Sequence, residues 1–192
     1  MRKLTKSIQH RRRREKKTDY KKRLNLLKSG EKRLVVRKHI NDTVAQIVGW
    51  NEDGDETVAQ ADGKQLMKIG WKGHPGNLPS AYLIGYLLGM KAGERDVESA
   101  VLDIGLQNVT KENRIYAVVK GVRDAGIDIP ANESVLPSEG RIRGEHIEKY
   151  ASQMSQSEKE KHFSKLLDKD LDPEEISGHF EQVKEKIEEK FE

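Results

Sequence analysis

The order of periodic segments predicts an α/β fold, a mixed or antiparallel sheet packed against helices, with a basic N-terminal arm and a helical C-terminal extension. Three observations carry this. Short runs rich in β-branched residues follow one another between 33 and 61, and two segments, 80–92 and 112–125, repeat apolar residues at helical spacing. The charge is also split between the ends. Residues 1–38 hold 17 Lys and Arg against three acidic side chains, so 17 − 3 = +14; the whole chain is +4, and residues 39–192 therefore sum to −10.

Composition bounds the answer. A chain of 192 residues can build one medium domain with a core, plus extensions. Hydrophobic content is 34% and charged content 35%, which gives surface and tails a large share. Cysteine is absent, so neither a disulfide scaffold nor a thiolate metal site is available, and a reducing compartment fits. The histidines at 10, 39, 74, 146, 162 and 179 show no short ligand spacing. No apolar run approaches the ~20 residues that span a bilayer, and the amino end has no signal-peptide core. The expected setting is cytoplasmic, without a membrane partner.

Residues 1–32 read as a basic arm, 33–144 as the α/β domain and 145–192 as an acidic helical extension. In the arm, where Leu4 and Ile8 are the first apolar residues, the spacing of Tyr20, Leu24 and Leu27 predicts a short amphipathic helix over 17–28. Residues 11–17 carry too much like charge to order alone and should take shape on binding.

Residues 33–39, 43–50 and 57–61 read as strands, the last two joined by the turn-forming run from Asn51 to Glu56, which makes a meander the expected arrangement. A glycine- and proline-rich loop over 70–79 precedes the helix at 80–92, whose Gly85 and Gly89 share a face and would let it approach a strand closely. Residues 101–104 form a fourth strand. Helix 112–125 follows, with Ile115, Val118, Val119 and Val122 inward and Gly126 as its stop; 127–144 is expected to be extended or loop. The last 48 residues hold 14 carboxylates against eight lysines. There Asp172 and Pro173 read as a helix start, and Ile176, Phe180, Val183, Ile187 and Phe191 as one apolar stripe to be buried on the chain's own domain or on a neighbour.

Fourteen net charges in one arm exceed what solubility requires and point to a nucleic-acid backbone. Arginine adds bidentate phosphate geometry and stacking on unpaired bases, which suits folded RNA. Zinc-finger spacing and a leucine-heptad run are both missing, so the common sequence-specific DNA modules find no support. In the loop from Gly70 to Pro79, Lys72 and His74 flank a glycine and are further candidates, whereas Trp71 is expected in the core. The loop is not a P-loop, since no Gly-Lys-Ser/Thr closes it. Arg141 and Arg143, bracketed by Gly140 and Gly144, would point to one side of an extended backbone and clamp phosphates. Asp103 lies in a core strand, where a carboxylate must be paired or hydrogen-bonded. A metal nuclease would need further carboxylates converging on it, so the reading is that Asp103 faces the sheet edge or holds a loop backbone.

Several of these segments resemble, in order and at matching separations, one family: the run Lys32-Arg33-Leu34-Val35-Val36-Arg37, the loop Gly70-Trp71-Lys72-Gly73-His74, the helix around Ala81 to Leu88, the strand Val101-Leu102-Asp103-Ile104-Gly105, and the turn from Gly126-Ile127 to Pro137. They look like the 5S-rRNA-binding protein family of the large ribosomal subunit, L-eighteen, called L-five in eukaryotes. The segment from Ile129 to His146 and the helical extension resemble its archaeal branch. The resemblance covers about residues 5–150.

It implies a structural, RNA-binding role without catalysis, metal or cofactor. The implied partners are 5S rRNA, the large (23S-type) rRNA and neighbouring large-subunit proteins, including the other 5S-associated one, at the central protuberance. By similarity the RNA contacts fall on Arg11, Arg12, Arg13, Arg14, Lys16, Lys17, Tyr20, Arg23, Arg33, Arg37 and Lys38, with Lys72, His74, Arg141 and Arg143 as further contacts. The rival reading is a ribosome assembly factor or RNA chaperone that binds structured RNA transiently.

Overall fold

A computed structural model describes residues 8–191, so the arm's first charges, Arg2, Lys3 and Lys6, and Leu4 lie outside the described residues. The arm enters as one helical turn, α1 (Arg11–Arg14), and a helix, α2 (Tyr20–Leu27). The helical turn was not expected. Arg12 Nε donates to Thr18 Oγ1 (2.9 Å), Lys17 pairs with Glu15 (3.0 Å), and Lys16 turns the chain at φ 51°, so local partners offset the like charge. Asp19 starts α2, its carboxylate accepting from the backbone N–H of Lys21 (3.0 Å) and Lys22 (3.1 Å).

Four strands follow, β1 (Arg33–Lys38), β2 (Thr43–Asn51), β3 (Gly54–Asp62) and, much later, β4 (Val101–Asp103), in the order β3-β2-β1-β4. The first three form the expected antiparallel meander, and β4 pairs parallel with β1, so the sheet is mixed. A parallel neighbour needs a long crossover, which α3 (Gly63–Ile69) and α4 (Leu78–Gly93) supply. α3 has no counterpart in the sequence reading. It is short, begins on glycine and is held by its cap, Asp62, which accepts from Gln65 N–H at 2.9 Å.

Leu34, Val36, Ala45, Ile47 and Ala61 are fully buried on one face of the sheet, against α4 and α5 (Arg114–Asp124). Gly85 and Gly89 do allow a close approach, but to a helix rather than a strand. A Cβ on Gly85 would collide with the Val118 carbonyl, one on Gly89 would press on Val122 and Ala125, and one on Gly121 would meet the backbone of Tyr82 and Tyr86. The two helices cross nearly in backbone contact. That crossing forms the centre of the core.

Beyond α5 the chain is more helical than expected. After a 3₁₀ turn at Glu133–Val135 come α6 (Glu139–Arg143), α7 (Glu145–Ser152), α8 (Gln156–His162) and α9 (Ser164–Leu167). Asp172 caps a second 3₁₀ turn with Pro173 first, and α10 (Ile176–Glu188) continues from it. Its stripe of Ile176, Phe180, Val183 and Ile187 is buried in the same apolar cluster as α4, with Phe180 5.6 Å from the Tyr82 ring. The chain thus covers this stripe itself, with Phe191 partly buried beside it.

Candidate nucleic-acid interface

With Leu34 and Val36 turned inward, strand alternation puts Arg33, Val35 and Arg37 on the outer face of β1. Register places Gln46 and Asp103 opposite Val35, and Val48 opposite Arg33, on that same face. The arm lies over it. Between arm and sheet is a cleft of about 1000 Å³, lined among others by Arg12, Lys16, Lys17, Tyr20, Arg23 and Arg37.

Two carboxylates organise this face. Asp55, near the start of β3, meets the Arg23 guanidinium of α2 in a bidentate pair, both contacts 2.8 Å. Arg33 Nη2 lies 2.8 Å from Asp55 as well, an ion-pair contact without hydrogen-bond alignment. Asp103 accepts from Arg33 Nη1 (3.1 Å), Arg37 Nη2 (3.2 Å) and the Gly105 backbone N–H (2.8 Å), while Arg37 Nη1 donates to the Asp103 carbonyl (2.7 Å). Asp103 therefore holds a loop backbone, as its sequence position suggested, and also two arginines. Burial pushes the Asp55 carboxyl up, but the contacts from Arg23 and Arg33 outweigh it and hold its pKa below the ordinary value. The same hydrogen bonds raise Arg23.

The expected contact residues divide on this geometry. Arg11, Arg12, Arg13, Arg14, Lys16 and Lys17 are exposed. Tyr20 is half-buried, its ring 5.1 Å from that of His10. Arg23 and Arg37 are partly covered by their carboxylates, and Lys38 Nζ donates to the Asn108 carbonyl at 3.0 Å. Arg33 is different. At 2% exposure, with Asp55 and Asp103 beside it, its side chain is turned away from solvent and joins the sheet to the hairpin.

The second group lies apart. Trp71 is in the core as expected, stacked 5.2 Å from the His179 ring. Lys72 is tied to the extension: His179 Nε2 accepts from its backbone N–H (3.0 Å), and its Nζ donates to the Asp170 carbonyl (3.1 Å). His74 is exposed, and its Nδ1 accepts from Gly76 N–H at 3.0 Å. Arg141 and Arg143 do not alternate along an extended strand. They sit two apart on α6, which points them in different directions, Arg141 3.9 Å from Glu112 and Arg143 3.2 Å from Glu181.

Sequence reasoning missed Asp55, which reads there as a turn residue, and the cations Arg114, Lys165 and Lys169 beside His74. Only their place in the fold brings these together. Among the described residues no group of three or more His, Asp or Glu could hold a metal ion.

A family model described as ribosomal large subunit proteins 60S L5 and 50S L18 matches residues 6–95 and 90–132, more than half of the chain. The match takes in the arm from residue 6, the whole sheet, and α3 to α5. It ends before α6, so Arg141, Arg143 and the extension lie beyond it.

Proposed function

The chain belongs to the family of large-subunit ribosomal proteins 60S L5 and 50S L18, which makes it a 5S-rRNA-binding protein of the cytoplasmic ribosome, and we propose that its arm and outer sheet face grip 5S rRNA as one surface. The observation that carries this is the Arg23–Asp55 pair, which pins α2 across the sheet and leaves Arg12, Lys16 and Lys17 lining the cleft. Phosphates would meet Arg11 to Arg14, Lys16 and Lys17. Arg23 and Arg37 would exchange part of their carboxylate contacts for phosphate, and Tyr20 offers a ring at the cleft wall for an unpaired base.

In this reading 5S rRNA is held at the central protuberance and bridged to the large rRNA, with the other 5S-associated protein as neighbour. The role is structural rather than catalytic, in keeping with the family. Crosslinking the intact chain to 5S rRNA and mapping the adducts tests the surface. Adducts within residues 11–38 and 101–107 support it; adducts confined to the helical side, over α4 and α10, contradict it. Near-stoichiometric presence in purified large subunits separates a particle component from a transient assembly factor or RNA chaperone.

A further inference from the structure

The β2–β3 hairpin carries an aromatic side chain that the fold does not use. β1 begins at Arg33, opposite Val48, so Gly49 to Glu56 project past it as a two-stranded hairpin. Alternation along β2 puts Gln46, Val48 and Trp50 on the outer face, the one under the arm. Trp50 stands about 7 Å beyond Val48, which lines the cleft, and opposite Asp55, which holds Arg23 of α2. It is next to the point where the arm is pinned.

Trp50 is 62% exposed, whereas Trp71, the chain's other tryptophan, is in the core. An aromatic residue on a sheet surface stabilises a hairpin when a cross-strand side chain covers it. Here the facing side chain is a carboxylate engaged by Arg23 and Arg33. Among the described residues no ring or cation stacks on the indole. The surroundings select its occupant. Glu52, Asp53, Asp55 and Glu56 crowd the tip and repel phosphate, while Arg12, Lys16 and Lys17 lie on the arm side. An RNA strand whose backbone follows the arm would therefore reach Trp50 with a base.

We propose that Trp50 is a stacking platform for an unpaired base of the 5S rRNA held by the arm. This rests on the RNA-binding reading above and extends that one surface from the cleft onto the hairpin. Every base has a face to stack, so Trp50 adds affinity without reading sequence.

The test uses the two tryptophans of the intact chain, one exposed and one buried. Saturating 5S rRNA should quench the Trp50 emission and shield it from acrylamide, leaving the Trp71 emission in place. In Trp50→Phe, 5S rRNA should change the remaining emission little. Trp50→Ala should weaken 5S binding about tenfold with the slope of log K against log salt unchanged, because stacking releases no counterions. Trp50→Phe, which keeps a ring, should recover most of that loss, and unchanged circular dichroism and Tm show that both variants keep the fold. Three results overturn the proposal: Trp50 as open to acrylamide in the complex as in the free chain, Trp50→Ala affinity within about twofold of the intact chain, or a salt slope that flattens as affinity falls. The first leaves the hairpin to a protein neighbour, and the last means that the arm's phosphate contacts were lost instead. A chain that fails to hold 5S rRNA at all overturns the reading on which the proposal rests.

Discussion

Arg23, in the basic arm, and Asp55, 32 residues later at the start of β3, face each other in a bidentate pair with both contacts at 2.8 Å. A helix of eight residues is too short to be stable alone. The pair, with Arg33 beneath it, gives α2 a fixed place over the sheet. Arm and sheet face are thereby presented together.

Releasing that pair should free α2. Asp55→Asn is expected to lower stability by about 2 kcal/mol, since two charge-assisted contacts weaken and buried Arg33 keeps only Asp103. Trypsin cleavage after Lys21, Lys22 or Arg23 should accelerate well before global unfolding. Unchanged cleavage kinetics would mean that Asp55 does not hold the arm.

Asp103 is the costlier site. Asp103→Ala leaves the buried Arg33 guanidinium without one of its two carboxylates and frees the Gly105 turn. A loss of roughly 3 kcal/mol is expected, read as a lower urea midpoint with an unchanged m-value. A shift under about 0.5 kcal/mol would show that Arg33 is satisfied elsewhere.

The α4–α5 crossing makes a prediction independent of charge. Gly121→Ala or Gly85→Ala places a methyl group on a facing backbone carbonyl, which cannot yield as a side chain would. Each should destabilise by about 2 kcal/mol or more despite the better helix propensity of alanine. Gly178→Ala, on α10 with open space around it, is the control and should be neutral or slightly stabilising.

The extension should respond to acid. His179 Nε2 accepts from Lys72 N–H and so must be unprotonated, and burial, with Lys72 and Lys186 nearby, lowers its pKa. His74 and His146 are lowered too. A depressed histidine contributes stability that is present above its unfolded pKa, about 6.5, and is lost as pH falls toward and through the folded value. Tm should therefore drop between about pH 7 and pH 5. His179→Gln should flatten that drop, and an identical pH profile would remove His179 from the account.

Where one local pattern decided the structure, the sequence was readable. Runs of β-branched residues gave β1 and β2 nearly to the residue, and helical spacing gave α4 and α5. Short helices fixed by a cap or by tertiary contacts were not readable: α3 depends on Asp62, and α6 reads as a glycine-bracketed loop until the extension packs near it. The site divided the same way. Basic residues were found by counting, but their carboxylate partners were not, because Asp55 and Arg33 meet only once the hairpin folds back beside β1. Asp103 was the exception, since a carboxylate in a core strand announces that something must pair with it.

The most direct test of the central claim is the salt dependence of 5S rRNA binding, for the intact chain and for a version starting at Gly30, with tRNA and double-stranded DNA as competitors. The account predicts that the intact chain binds 5S rRNA in preference to both. Removing the arm should weaken binding and flatten the slope of log K against log salt by roughly 3 or more, since at least four phosphate contacts go with Arg11 to Arg14. Equal affinity for all three polyanions, or a truncation that keeps both affinity and slope, would contradict it.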